Sequence, residues 1–314
     1  MDAARAGPAG ALTLPRVRNA PSRSAKARVS RGVRWLAAIV LLAWAAPARA
    51  DDGFMLERLT PAPAGAGWIA LDALDMHGGL SGAASLTVSY AHDPLRGVVS
   101  DEAFFDIGAA LTYDRLRFSL DLTSPIAIDG PSASVDIGHD PDVIWDPRFG
   151  FDVRFFGDAG APVRLGWSAA VFLPNGDRAA FDSDGTVRGM FQLLFAGDLP
   201  HFTYAARAGI HARMLRVTDP DGPEGDEFLF GAAAGARFGP RAWTFVLGPE
   251  IFGETALDDF FLARTGVEGL LSARLDHFPF RLKLGGGGGL DPHFGAPGWR
   301  VVVGVELVGP GATR

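Results

Sequence analysis

The most constraining feature of this sequence is an alternation of apolar and polar residues that recurs in twelve segments between about residues 84 and 308. The last segment, residues 299–307, shows the pattern. Its odd-numbered residues are large and apolar, and its even-numbered ones include Arg300 and Glu306. Successive side chains of a β-strand point to opposite faces, so each segment predicts a strand with one apolar and one polar face. The series as a whole predicts an all-β fold.

The connections between these segments alternate between short and long. Most segments have about nine to eleven residues, which is the length that a tilted strand needs to cross a bilayer. Short turns at one end, long loops at the other and an even strand number are typical of bacterial transmembrane barrels. The short turns are predicted at 114–115, 157–162, 197–200, 239–241 and 276–279, and the long polar loops at 93–103, 126–146, 174–186, 217–226, 253–263 and 288–298.

Alternation alone would also fit a soluble β-sandwich or a lipocalin-like barrel, so it does not show which face of the strands meets water. Side chains alone fill a barrel of roughly eight strands, and twelve strands with their apolar faces inward would leave an apolar hole. Aromatic residues also concentrate at both ends of the segments, as they do at membrane interfaces. We therefore predict a transmembrane antiparallel up-and-down β-barrel of about twelve strands, with its apolar face toward lipid.

The first fifty residues differ from the rest of the chain. They hold nine of the 29 basic and one of the 36 acidic residues, which leaves a net charge of −15 for the remainder. Basic residues precede an apolar run at 35–46, and small residues precede Asp51 at the positions of a signal-peptidase site. The run is shorter than the roughly 20 residues of a helical membrane span. The sequence predicts a signal peptide over 1–50, cleaved after Ala50, and an acidic mature chain that does not bind nucleic acid.

The remaining boundaries follow from where the alternation starts and stops. Residues 51–83 lack it and are broken by proline and glycine at 60–67. We predict that they form an N-terminal periplasmic segment, which either serves as a partial plug of the barrel mouth or is a plain linker. The barrel is predicted over 84–308, and 309–314 is a short tail.

The polar face of the predicted strands carries charges of both signs. One hypothesis is a constriction that prefers anions, because rings of Arg and Lys select anions in pores. The alternative is a salt-bridged plug, in which opposite charges pair across the lumen. The residues of this lumen-lining charged cluster are Arg117, Asp121, Asp152, Arg154, Arg164, Arg188, Arg207, His211, Arg213, Glu250, Glu268, Arg274, Arg281, Lys283, Arg300 and Glu306.

Candidate catalytic and metal-binding chemistry is weak. The chain has no cysteine, which excludes disulfides, cysteine-ligated zinc and a cysteine nucleophile. A barrel phospholipase would need a Ser-His pair on the lipid face, whereas His201 and His211 are predicted to point into the lumen and the other histidines lie outside the predicted strands. An acidic loop at 219–227 could offer oxygen ligands to Ca²⁺ but lacks the spacing of a known calcium loop. We predict no enzyme activity, no cofactor and no metal.

Four short stretches, at 61–65, 90–95, 173–177 and 294–301, resemble the N-terminal β-barrel domains of OmpA-type envelope proteins of Gram-negative bacteria. The resemblance covers about residues 54 to 308 and implies a barrel in the outer membrane. The peptidoglycan-binding domain that commonly follows in that family is absent from this sequence. The last strand also departs from the family's assembly signal, because a terminal aromatic residue is missing.

The function predicted from these observations is that of a protein of the cell outer membrane. It is either a narrow passive pore for small solutes or a structural envelope protein with a closed lumen. The expected partners are outer-membrane lipid and lipopolysaccharide, the barrel-assembly machinery and small solutes. The alternative is a surface adhesion or receptor protein that uses the long loops 126–146 and 174–186.

Overall fold

The strands close into a single barrel in a computed structural model that describes residues 54–130, 145–176, 178, 181, 183–214, 225–240, 243–258, 260–262, 265–292 and 295–310. Each strand pairs antiparallel with its neighbours in the chain, and β1 also pairs with β12, so the predicted all-β barrel of twelve strands is confirmed. The strands are β1 (Leu80–Leu95), β2 (Val99–Tyr113), β3 (Leu116–Asp129), β4 (Arg148–Phe156), β5 (Arg164–Phe172), β6 (Arg188–Leu199), β7 (Phe202–Arg213), β8 (Glu227–Phe238), β9 (Thr244–Ala256), β10 (Thr265–His277), β11 (Phe280–Pro292) and β12 (Trp299–Val308).

Several strands run further than the alternation indicates. The long loop predicted at 93–103 is wrong, because β1 and β2 are joined by residues 96–98 and Val98 N–H donates to the Leu95 carbonyl at 3.0 Å. β9 and β11 likewise extend into the loops predicted at 253–263 and 288–298. Beyond the lipid belt both faces of a strand can be polar, so alternation ends there although the hydrogen-bond ladder continues.

The short turns lie close to their predicted places, although β6 and β10 run into theirs. β2 and β3 are joined by residues 114–115, as predicted. β6 runs to Leu199, so its turn comes later than 197–200. His201 therefore lies exposed in the turn, and its predicted place in the lumen is wrong. A lumenal position would need it to lie on the strand that starts only at Phe202.

The apolar residues of the alternation face outward. On β12, the side chains of Val301 and Val303 are 41% and 49% exposed. Arg300, which precedes Val301 and points to the opposite face, is 1% exposed. Aromatic rings form a row across the outer face of β3 to β6. The row runs from Phe118 to Phe151 (4.8 Å between ring centroids), Trp167 (5.5 Å) and Phe191 (5.8 Å). An exposed apolar belt of this kind is the lipid-facing surface of a membrane barrel.

Placing a charge on this outer face is expected to be costly. Val303 lies in the middle of β12, opposite Leu284 of β11 and Val88 of β1. Val303→Arg should lower the free energy of unfolding in lipid vesicles by about 2–4 kcal/mol, because the charge enters the apolar bilayer centre. Val303→Leu is the matched control. Urea titrations that give equal stability for the two variants would contradict a lipid-facing β12.

Residues 54–79, here called the lumen segment, run along the interior of the barrel. At the long-loop end, the ring of Phe54 packs on Phe181 with 5.5 Å between centroids. At the short-turn end, the Gly79 carbonyl accepts the Asp114 N–H at 3.0 Å, and β1 follows directly at Leu80. The segment predicted to be periplasmic thus lies within the barrel over its described residues, and β1 starts four residues before the predicted boundary.

No helix among the residues that the structure describes is long and apolar enough to cross a membrane.

Candidate functional site

The sixteen charged residues of the predicted cluster all lie on barrel strands and turn inward. Fourteen of them are buried, and Arg207 and Arg274 are partly buried. This position follows from the two-residue period of a strand, because their outward neighbours are the apolar residues of the belt. The interior of the barrel is therefore lined with charged side chains.

Many of the wall charges pair with one another. Arg300 Nε donates to Glu268 at 2.8 Å, and Lys283 Nζ donates to Glu306 at 2.6 Å. Such pairs keep buried charge tolerable, since an isolated buried ion carries a large desolvation cost. Further wall pairs join Arg117 with Asp152, Arg148 with Asp121, Arg164 with Asp198, Arg213 with Glu227 and Arg281 with Glu306.

The wall also makes room for apolar side chains of the lumen segment. A Cβ added at Gly166 would lie 2.8 Å from Leu74 Cδ2, and one added at Gly285 would lie 2.5 Å from Ile69 Cδ1. Both distances are shorter than a real Cβ contact, so a larger residue at either position would push the segment's side chain aside, and at Gly166 it would also meet the Val153 carbonyl oxygen at 2.7 Å. Apolar side chains of the lumen segment thus pack against the described wall as they would in a protein core.

Four wall arginines hold residues 70–74 of the lumen segment through oxygen atoms, and we call these four the arginine cradle. The contacts join Arg207 to the carbonyl of Ala70 (3.1 Å), Arg117 to the carboxylate of Asp72, Arg164 to the carbonyl of Ala73 (2.9 Å) and Arg154 to the carbonyl of Leu74 (3.2 Å). Because a guanidinium has five N–H donors and no acceptor, it is suited to binding oxygen-rich partners. The cradle thus binds the segment as it would bind an anion.

The rest of the lumen segment is held in the same way. Four more wall cations donate to it: Arg148 to the Pro61 carbonyl (2.6 Å), Arg281 to the Gly65 carbonyl (3.2 Å), Lys283 to the Trp68 carbonyl (2.7 Å) and Arg300 to the Glu57 carboxylate (2.8 and 2.9 Å). In the reverse direction, Glu250 accepts the N–H groups of Ile69 and Ala70 at 3.0 and 2.9 Å. Many hydrogen-bonding groups of the wall therefore bind the segment as well as one another.

Asp184, in the loop between β5 and β6, anchors the start of the lumen segment. Its carboxylate accepts the Met55 N–H at 2.8 Å and the Arg213 Nε–H at 2.7 Å. Burial alone would raise the pKa of Asp184, but Arg213 and Arg188 outweigh it and hold the pKa well below its usual range. Asp184 is therefore ionised, and it ties the loop, the wall and the segment together.

One cluster has the spacing of a metal site, since the ligand atoms of His211, Glu227 and Glu254 lie within 4.8 Å of one another. The two carboxylates already bind cations: Arg58 donates to both at 3.0 Å, and Arg213 donates to Glu227 at 3.0 Å. A divalent ion would have to displace these guanidinium groups, so the cluster does not fit a metal. Residues 215–224, which include most of the acidic loop considered for Ca²⁺, lie outside the described residues.

Small cavities remain between the lumen segment and the wall. Two have volumes of about 40 Å³ and a third of about 10 Å³, which is room for one or two water molecules at most. At these places no solute can pass. A much larger cleft of about 770 Å³ opens at the short-turn end, where His77, Tyr113, Arg115, Arg154 and Asp158 line it.

Several charged residues of the described lumen were not predicted. Glu57 and Asp72 belong to the lumen segment, which has no periodicity to indicate them. Glu102 and Glu254 fell in loops predicted at 93–103 and 253–263, although both are buried on strands. Arg148 could have been found, because it shares the inward phase of β4 with Asp152.

No protein-family profile and no curated protein matches the sequence. Among solved structures, it is similar to the COG4313 outer membrane channel from Pseudomonas putida F1, at 14% identity over 79% of this chain and 99% of that one, with a TM-score of 0.50. Weaker matches are the NanC porin (8% identity, 72% and 98% covered, TM-score 0.48) and LpxR from Salmonella typhimurium (12%, 71% and 99%, TM-score 0.36).

At these identities the comparison shows the fold. The chain folds as a closed twelve-stranded β-barrel, and this fold is similar to that of a solved outer membrane channel. The likeness to OmpA-type proteins and the absence of enzyme activity stay predictions, and so does the signal peptide, because residues 1–53 lie outside the described residues.

Proposed function

We propose that the protein is an outer-membrane channel whose pore is closed by its own N-terminal segment. The observation that carries the proposal is that residues 54–79 fill the lumen and bind to the charged wall. Side chains of the wall alone fill a barrel of roughly eight strands, so a barrel of twelve keeps a lumen unless something else fills it. Here the wall is charged, and a separate stretch of chain provides the filling.

The way in which the lumen segment is held supports a removable closure. Its contacts with the wall are non-covalent, and the chain has no cysteine that could fix it by a disulfide. When it leaves, the groups exposed include the cations and carboxylates of the wall, which water can solvate. The COG4313 outer membrane channel has a similar fold and is called a channel. Outer-membrane lipid, lipopolysaccharide and the barrel-assembly machinery remain the partners that such a location implies.

The surface receptor or adhesion protein is the second candidate, and it depends on the long loops. In the loop between β5 and β6, the described residues Phe181, Ser183 and Asp184 are buried. Phe181 also accepts the Leu56 N–H at 3.0 Å through its carbonyl. This part of the loop serves to hold the lumen segment, which favours the channel over the receptor.

Conductance in planar bilayers tests the proposal. The full-length protein is expected to be nearly silent, whereas a variant in which a Gly/Ser linker replaces residues 54–75 should carry steady ion current. A synthetic peptide of residues 54–79 should block that current, which controls for leakage. Heat-modifiable migration on gels reports that each variant is folded.

Two outcomes would contradict the proposal in different ways. Steady current through the full-length protein would show that the lumen segment does not close the pore. Silence from a folded variant without the segment would show that the barrel is not a channel, and a structural envelope role would then be favoured.

A further inference from the structure

The arginine cradle is a compact feature of the short-turn half of the barrel. Its members come from four strands, β3, β4, β5 and β7. Across this patch, Arg117 lies opposite Asp152, two residues before Arg154 on β4. Arg164 and Arg207 lie opposite Ala196 and Leu194 of β6, which are likewise two residues apart. The four guanidinium groups therefore surround one short stretch of the lumen.

Two members of the cradle form no ion pair or hydrogen bond with a carboxylate in the described part of the wall. Among the described residues, the hydrogen bonds of Arg154 and Arg207 go only to carbonyls of the lumen segment. In addition, Arg154 Nε, Arg164 Nη2 and Arg207 Nε are buried without any hydrogen-bond partner. Arg154 and Arg164 are 3% and 0% exposed. Buried cationic donors that are left unsatisfied are costly, and an added oxyanion would satisfy them.

The cradle can be reached from one end of the barrel. Arg154 lines the cleft of about 770 Å³ at the short-turn end. On the other side of the cradle, a cavity of about 40 Å³ lies beside Arg207 and Asp72. A solute that enters the cleft therefore meets Arg154 first, and residues 70–74 stand between it and the remaining arginines.

Residues 70–74 themselves have the form of an oxygen-rich ligand. They offer the cradle three carbonyls and one carboxylate. Leu74 adopts a left-handed backbone conformation with φ of 54°, which is strained for a non-glycine residue. That strain lowers the free energy needed to release this stretch from the cradle.

We propose that the arginine cradle is a binding site for a small oxyanion solute, carrying carboxylate or phosphate groups, and that this solute competes with residues 70–74. Planar guanidinium groups match both kinds of oxyanion in bidentate geometry. Binding of the solute and release of the lumen segment are then the same event. This inference rests on the proposed channel function, because it names the solute class that opens the pore.

Labelling of a single cysteine tests the competition in the full-length chain, which has no native cysteine. Ala73 is 3% exposed in the lumen segment, so the thiol of Ala73→Cys should react slowly with a hydrophilic maleimide. At constant ionic strength, replacing chloride by citrate or inorganic phosphate should raise the labelling rate about tenfold, as a bound anion favours the released state. Acceleration by citrate alone identifies a carboxylate solute, and acceleration by phosphate alone identifies a phosphate.

Matched variants show whether the cradle is responsible. Arg154→Gln and Arg207→Gln should abolish the acceleration, whereas Arg96→Gln should keep it, since Arg96 lies exposed in the turn between β1 and β2, at the long-loop end of the barrel. Ala66→Cys places the thiol at a second buried position of the lumen segment. The same anion-dependent labelling there excludes a local effect of the first cysteine.

The proposal is overturned if neither anion accelerates labelling, or if the cradle variants respond as the unchanged cradle does. This outcome is distinct from failure of the channel function. Silence of the segment-free barrel in bilayers would remove the channel and leave the labelling result standing, whereas conduction without anion-dependent labelling would remove the cradle site alone.

Discussion

An Arg300→Met variant is expected to lose about 3–5 kcal/mol of unfolding free energy, the cost of removing one partner from a buried ion network. The Arg300 side chain is fully buried and donates to Glu268, to both carboxylate oxygens of Glu57 and to Ser89 Oγ. Without Arg300, the carboxylates of Glu57 and Glu268 lose the cation that they share, although their side chains are only 2% and 3% exposed. Methionine fills much of the space of arginine, so the loss reports charge and not a cavity.

Urea titration in lipid vesicles, followed by gel mobility, measures this effect. Arg237→Met is the control, because its side chain is 33% exposed and its removal should change stability by about 0.5 kcal/mol or less. Adding Glu57→Gln and Glu268→Gln to the Arg300 variant should restore part of the stability, since the uncompensated charges are then removed. Equal stability of the Arg300 and Arg237 variants would refute the network.

The second large effect is expected for Asp184→Asn, which keeps the shape of the side chain and removes its charge. Arg213 and Arg188 then lose a buried counter-ion, and the attachment of Met55 weakens, at a cost of about 3–5 kcal/mol by the same argument. The loss should be local, because Asp184 joins a loop to the start of the lumen segment. Hydrogen exchange of the Met55 amide is the measurement, and it should become much faster in the variant.

The pH dependence of this effect follows from the lowered pKa of Asp184. A carboxyl group whose pKa is lower in the folded protein stabilises it fully above its ordinary pKa of about 4, and this contribution is lost as the pH falls through the lowered value. The difference in exchange between wild type and Asp184→Asn should therefore be the same at pH 5 and pH 7. A difference that shrinks between these values would mean that Asp184 is not held ionised by its arginines.

The barrel could be predicted because lipid imposes a simple rule on the sequence. Each residue of a strand such as β12 faces either the bilayer or the interior, so Val303 and Glu306 report their sides directly. The rule loses force where the strands leave the lipid belt, which is why Glu102 and Glu254 were placed in loops. It says nothing of residues 54–79, whose backbone has no repeating geometry.

A signal for the lumen segment was nevertheless present. Several positions in the inward phase are apolar where a water-filled pore would be polar, and in the structure they pack against the segment. Val302 and Leu270 are examples, at 0% and 2% exposed. Apolar residues on both faces of one strand indicate that something apolar lies inside the barrel. The partners of each charge could not be deduced, because they depend on how an irregular segment folds in three dimensions.

The junction at residues 78–79 has a consequence for how long the barrel can stay open. The lumen segment is joined to β1 there without any intervening linker. Once released, a chain of this length has a coil dimension of about 30 Å, so it stays near the mouth. Its effective concentration at its own binding surface is then in the millimolar range. Opening is therefore self-limiting: a solute must compete continuously with a neighbour that cannot diffuse away, and the barrel reseals when the solute is gone.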